Sequence, residues 1–149
     1  MREKINAALK AAIKAQEKRR MSTLRLINAA IEDRVIAARS GGQDGLSDTQ
    51  ILEILAKMVK QRRESIEAYE NAGRLELAQQ EQEEIDIIQT FMPEQMAEKE
   101  TRAACEAVVA EMGGESLRDM GRIMSALKER YAGQMDFGKA SQIVKELLK

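Results

Sequence analysis

Apolar residues recur at three- and four-residue intervals along most of the chain, the spacing that lays a stripe down one face of an α-helix. Ile5, Leu9 and Ile13 form a first set and Leu24, Ile27, Ile31 and Val35 a second, with a polar QEKRR stretch between them. Two helices are therefore expected up to about Ser40. Their break falls somewhere in residues 15–18, although no Gly or Pro marks it. GGQDG, from Gly41 to Gly45, reads as a loop because glycine is costly inside a helix. Ser47 and Gln50 have the spacing of a capping box, in which each side chain satisfies the other residue's free amide, and they open a third helix. Asn71-Ala72-Gly73 supplies its left-handed stop. A fourth helix, from about Leu75 to Phe91, must end before Pro93, since proline disfavours helix in the residue ahead of it.

The pattern changes after Pro93. One helix is expected over about Ala97 to Met112, closed by Gly113-Gly114. Ser116 with Asp119 caps the next, which runs to about Arg130, and Asp136 caps a last one carrying Ile143, Val144, Leu147 and Leu148. The fold class predicted is all-α: a four-helix N-terminal domain, 1–94, followed by a small three-helix C-terminal domain, 95–149.

Composition narrows the chemistry. Only 3% of residues are aromatic and 33% are charged, with a single Pro, a balance that suits helices and disfavours strands. There is no His, which removes imidazole general bases, Ser-His and Cys-His pairs and His-ligated metals. No catalytic residue, metal ligand or cofactor is expected. The only thiol, Cys105, stands beside Val108, Val109 and Met112 at helical spacing and reads as a buried, inert group rather than an activated nucleophile. No apolar run approaches the roughly 20 residues that cross a bilayer, and the N-terminal residues lack the apolar stretch of a signal peptide. A cytoplasmic protein with no membrane partner is the expectation.

Charge is laid out unevenly. Residues 1–63 hold 14 basic and 7 acidic side chains, residues 64–100 hold 2 and 11, and residues 101–149 hold 8 and 7. A net charge of −1 thus conceals a basic front and an acidic middle. Such asymmetry permits a surface facing a polyanion, while the overall acidity disfavours a general nucleic-acid binder, and no DNA partner is expected. Lys18, Arg19 and Arg20, with Arg25 nearby, lack matching acids except Glu17 and oppose the dipole of the helix they open, which marks them as candidate phosphate contacts. Lys57, Lys60 and Arg63 on the third helix are weaker candidates, because Glu53, Glu64 and Glu67 stand four residues from one or another of them and can neutralise them. Arg118 and Arg122 give the last third a milder basic surface, partly offset by Asp119.

Arg62 differs from its neighbours because it falls inside the apolar stripe of Ile51, Leu55, Val59 and Ile66. A guanidinium there needs a carboxylate. The fourth helix offers Glu81 and Glu84 in its own stripe, and an antiparallel hairpin about Gly73 sets Glu84 opposite Arg62. Asn28 shares the apolar stripe of the second helix. These four are expected to form one partly buried network that fixes helix register, with a binding or catalytic cluster as the alternative.

The stretches RRMSTLRLINAAIEDR, LSDTQILEILAKMVKQRRESIEAYENAGR, LAQQEQEEIDIIQTFMPEQM and LRDMGRIMSALKERYAG closely resemble the bacterial GatB/YqeY family, end to end. The resemblance implies a helical N-terminal part joined to a three-helix module, and kinship with the tail of the GatB subunit of tRNA-dependent amidotransferase, a tail that helps hold tRNA. It also implies a role in translation, since relatives occur fused to a tRNA synthetase. The catalytic regions of the amidotransferase have no counterpart here. Phe137-Gly138 departs from the small residue that relatives keep after the aspartate, and touches only a helix start. The functional expectation is a tRNA-binding accessory whose protein partner is a tRNA synthetase or amidotransferase. The alternatives are an amidotransferase-like carbon-nitrogen ligase with glutamine as amido donor, working through Arg62, Glu81, Glu84 and Asn28, and an adaptor whose acidic middle meets a basic protein.

Overall fold

The structure, a computed structural model, describes residues 1–148. It consists of seven α-helices and one short 3-10 turn, with no strand among the described residues. The helices are α1 (Arg2–Ala15), α2 (Lys18–Ser40), α3 (Asp48–Asn71), α4 (Leu75–Gln89), α5 (Glu98–Glu111), α6 (Met120–Arg130) and α7 (Phe137–Leu147). The 3-10 turn, Leu117–Asp119, precedes α6. Two compact units divide the chain, Met1–Pro93 and Glu94–Lys149.

Helix ends follow local chemistry. The break between α1 and α2 falls at Gln16, which takes the left-handed conformation at φ 57 and ψ 35 without being a glycine. Its amide and that of Glu17 donate to Ile13 O at 3.2 Å and Ala12 O at 3.0 Å, so the last carbonyls of α1 are satisfied and offset the strain. At the start of α3 the Gln50 amide donates to Ser47 Oγ at 3.2 Å and the Ser47 amide donates to Gln50 Oε1 at 3.0 Å. At its end Gly73, at φ 73, turns the chain so that the Arg74 amide reaches Tyr69 O at 2.8 Å. α4 stops at Gln89, short of Phe91, because the amides of Thr90, Phe91 and Met92 donate three residues back instead of four and tighten the turn ahead of Pro93. The Ser116–Asp119 pair opens the 3-10 turn rather than α6 itself, while Asp136 caps α7 by accepting from Gly138 N at 3.0 Å and Lys139 N at 3.3 Å.

In the first unit α3 packs along α4, α4 against α2, and α1 against α2. Their shared core is aliphatic: Ile5, Leu24, Ile27, Ile31, Leu55 and Ile88 are fully buried. Each such side chain stabilises by about 1.5–3 kcal/mol relative to exposure. The second unit closes α5, α6 and α7 around Cys105, Val108, Ile123, Leu127, Ala140 and Val144. Gly114 lies against this core so closely that an added Cβ would stand 2.8 Å from Ile123 Cδ1 and 2.9 Å from Leu148 Cδ2.

Candidate nucleic-acid interface

Burial of Leu24, Ile27 and Ile31 fixes the rotation of α2 and leaves Lys18 and Arg25 exposed, with Arg20 half-buried. The side chains of these three make no ion pair or hydrogen bond among the described residues. Arg19 behaves otherwise. The expectation that nothing but Glu17 offsets this basic cluster is corrected by the packing of α4 on α2, which brings Glu83 Oε2 within 3.4 Å of Arg19 Nε and Glu84 Oε1 within 3.9 Å of Arg19 Nη1. Glu17, Lys18, Arg19 and Arg20 form one wall of a shallow cleft whose other wall is Glu83, Asp86 and Ile87.

On α3, Lys57, Lys60 and Arg63 are exposed and none forms an ion pair among the described residues. The neighbouring glutamates do not close on them, since an exposed i,i+4 pair gains only about 0.2–0.5 kcal/mol against solvation and side-chain freedom. Glu53 turns instead toward Arg34 of α2, at 3.9 Å. Lys57 stands at the lip of a groove between α2 and α3 floored by Ala30, Ile54 and Met58.

Arg62 lies between α3 and α4 with 13% of its side chain exposed, and Glu84 has 16%. Arg62 Nε donates to Glu84 Oε2 at 2.9 Å and Nη1 donates to Met58 O at 3.2 Å. Burial and the adjacent Glu84 push the Glu81 carboxyl above its ordinary range, against the pull of Arg62 and Arg19. Asn28 stands apart from this cluster, contrary to the sequence expectation. α1 covers that face of α2, and Asn28 Nδ2 donates to Asn6 Oδ1 at 3.2 Å, while Asn28 Oδ1 is buried without a partner. The polar cluster therefore joins three helices through Arg19, Glu84 and Arg62, and Arg19 takes the place expected of Asn28. Glu83 escaped sequence reading altogether. Its only signal would have been the pairing of α2 with α4, which no local spacing encodes.

In the second unit Arg118 is exposed and has no ion pair among the described residues, whereas Arg122 Nη2 sits 2.9 Å from Asp119 Oδ1. The Glu115 amide, Arg122 and the Ser116 amide hold the Asp119 carboxyl below its ordinary range. Cys105 is fully buried, and burial pushes its thiol up, away from the thiolate that a nucleophile requires. Among the described residues no group of three or more Cys, Asp or Glu could hold a metal ion, and no helix is long and apolar enough to cross a membrane. The exposed cations of α2 and α3 offer contact with an anionic group, and the exposed carboxylates of α4 contact with a cationic one.

The family model described as Yqey-like protein matches residues 2–148. Among curated relatives, "Altered inheritance of mitochondria protein 41, mitochondrial" of Pyrenophora tritici-repentis is 31% identical over 134 residues, 85% of this chain and 71% of that protein. The protein of the same name from Eremothecium gossypii is 36% identical over 84 residues, 56% of this chain and 44% of that one. An uncharacterized protein of Schizosaccharomyces pombe is 32% identical over 82 residues, which are 55% of this chain and 63% of the relative. The matched stretch thus spans less than two thirds of the length of two of these three relatives. All three are fungal and two carry a mitochondrial name, so the bacterial element of the resemblance is not borne out by them. With a match from residue 2 to residue 148, the chain belongs to the YqeY-like protein family.

Proposed function

We propose that this chain is a tRNA-binding accessory protein, related to glutamine-dependent tRNA amidotransfer, that holds RNA through backbone and shape contacts and performs no catalysis of its own. The observation that carries this reading is a set of exposed cations, Lys18, Arg25, Lys57, Lys60 and Arg63, whose side chains form no ion pair among the described residues. Cations without internal partners release counterions when they meet phosphates, which gives affinity that depends on salt and little on sequence. Recognition of folded RNA by shape and 2′-hydroxyls needs no base-stacking platform, in keeping with a chain that has two Tyr, two Phe and no Trp. Of the four residues an amidotransfer reading would use, Arg62 and Glu84 are engaged with each other and Asn28 with Asn6, apart from Glu81. The reading includes two separately folding domains, 1–94 and 95–149, and a compartment that holds tRNA, the cytoplasm in the simplest case. Arg118 adds to the RNA-facing charge of the second domain, whereas Arg19 and Arg122 contribute less than their number suggests because each is already ion-paired.

Binding of unfractionated tRNA, measured across a salt series beside a duplex DNA control, tests the proposal. The wild-type chain should bind tRNA in preference to the duplex, with affinity falling as salt rises. Lys18→Glu combined with Arg25→Glu should weaken binding by about tenfold and flatten the salt slope by about 1 for each phosphate contact removed. Unchanged affinity would remove the start of α2 from the interface.

A further inference from the structure

Glu83 and Arg19 face each other across the shallow cleft at the start of α2, and their geometry makes Glu83 an internal rival of any anion that binds there. We propose that Glu83 is a determinant of the affinity of this surface for RNA: its carboxylate occupies the Arg19 guanidinium in the free protein and must be displaced before a phosphate can take its place. The proposal rests on the tRNA-binding reading and deepens it.

Four observations support it. Arg19 Nε is 3.4 Å from Glu83 Oε2, and Arg19 Nη1 is 3.9 Å from Glu84 Oε1, so the guanidinium meets two carboxylates of α4. Those two carboxylates are unequal. Glu84 is fixed by the 2.9 Å bond from Arg62 Nε and is mostly buried, whereas Glu83 has no other partner among the described residues and is about half exposed. Asp86 lines the same wall and adds a second negative charge facing Lys18 and Arg20. Finally, Arg19 itself keeps 40% of its side chain exposed, so a phosphate can reach it without unfolding anything.

The physical consequence has a definite sign. An exposed ion pair is weak, so a polyanion can break it, but the cost of breaking it lowers the affinity of the surface for that polyanion. The remaining carboxylates of the cleft repel phosphates through the same space, and repulsion at a rim acts on association as well as on affinity. Removing the Glu83 charge should therefore tighten RNA binding, the reverse of what loss of an ordinary contact residue does. Glu84 cannot play this part, because withdrawing it would strand Arg62 between two helices.

The test is tRNA binding by the full-length chain carrying Glu83→Gln, at low and physiological salt. Glu76→Gln, an exposed glutamate in the first turn of α4 with no ion pair, removes the same net charge as a control. Glu83→Gln should bind tRNA about two- to fivefold more tightly, the range expected for loss of one exposed pair, and Glu76→Gln should change less. In an Arg19→Gln background the gain from Glu83→Gln should shrink to that of Glu76→Gln, because a double-mutant cycle isolates the coupling between the two side chains. Equal gains from Glu83→Gln and Glu76→Gln, or a gain that persists undiminished without Arg19, would overturn the role of Glu83 while leaving tRNA binding intact. If no form of the protein binds tRNA at any salt, the functional reading fails and this inference fails with it.

Discussion

At the scale of single residues, Arg62 shows how one misplaced-looking side chain organises its surroundings. A guanidinium on an apolar stripe is tolerable only because Glu84 meets it at 2.9 Å and a main-chain carbonyl at 3.2 Å takes a second donor. Arg62→Met would leave Glu84 poorly solvated with only the distant Arg19, and should cost about 1–3 kcal/mol in urea unfolding. The double change Arg62→Met/Glu84→Leu should recover most of that loss, since replacing both partners by apolar groups strands no charge. If the single change proves as stable as wild type, the pair has no part in fixing α3 against α4.

At the scale of elements, what could be read in the sequence was what adjacent residues decide. The Ser47–Gln50 box, the Asn71-Ala72-Gly73 stop and the Asp136 cap each involve groups within five residues of one another, and each appears with the bonds its spacing implies. Ser47→Ala should therefore cost about 0.5–2 kcal/mol, read as a lower unfolding midpoint, by orphaning the Gln50 amide. The α1–α2 junction was harder to place, since Gln16 adopts a glycine-like conformation that its identity does not announce. Contacts between distant segments were legible only when both partners lay on apolar stripes joined by a short turn, as with Arg62 and Glu84 about Gly73. Asn28 pairing with Asn6, and Arg19 with Glu83, depend on which helices become neighbours, and that choice is made by the whole core rather than by any local spacing.

At the scale of the molecule, the chain has two aliphatic cores, one built by α1 to α4 and one by α5 to α7. Each buries its own set of Ile, Leu and Val, so residues 1–94 produced alone should retain their helices and unfold cooperatively in a heating experiment followed by circular dichroism. A fragment that is helical only in the full chain would show that the first core is incomplete without the second. The same molecule-wide view bears on how its biology can be dissected. Because Arg19 is at once a surface positive and a clasp between α2 and α4, an allele altered there confounds folding with activity. Lys18 and Arg25, whose side chains make no ion pair or hydrogen bond among the described residues, are where genetics can test the proposed RNA contact without disturbing the fold.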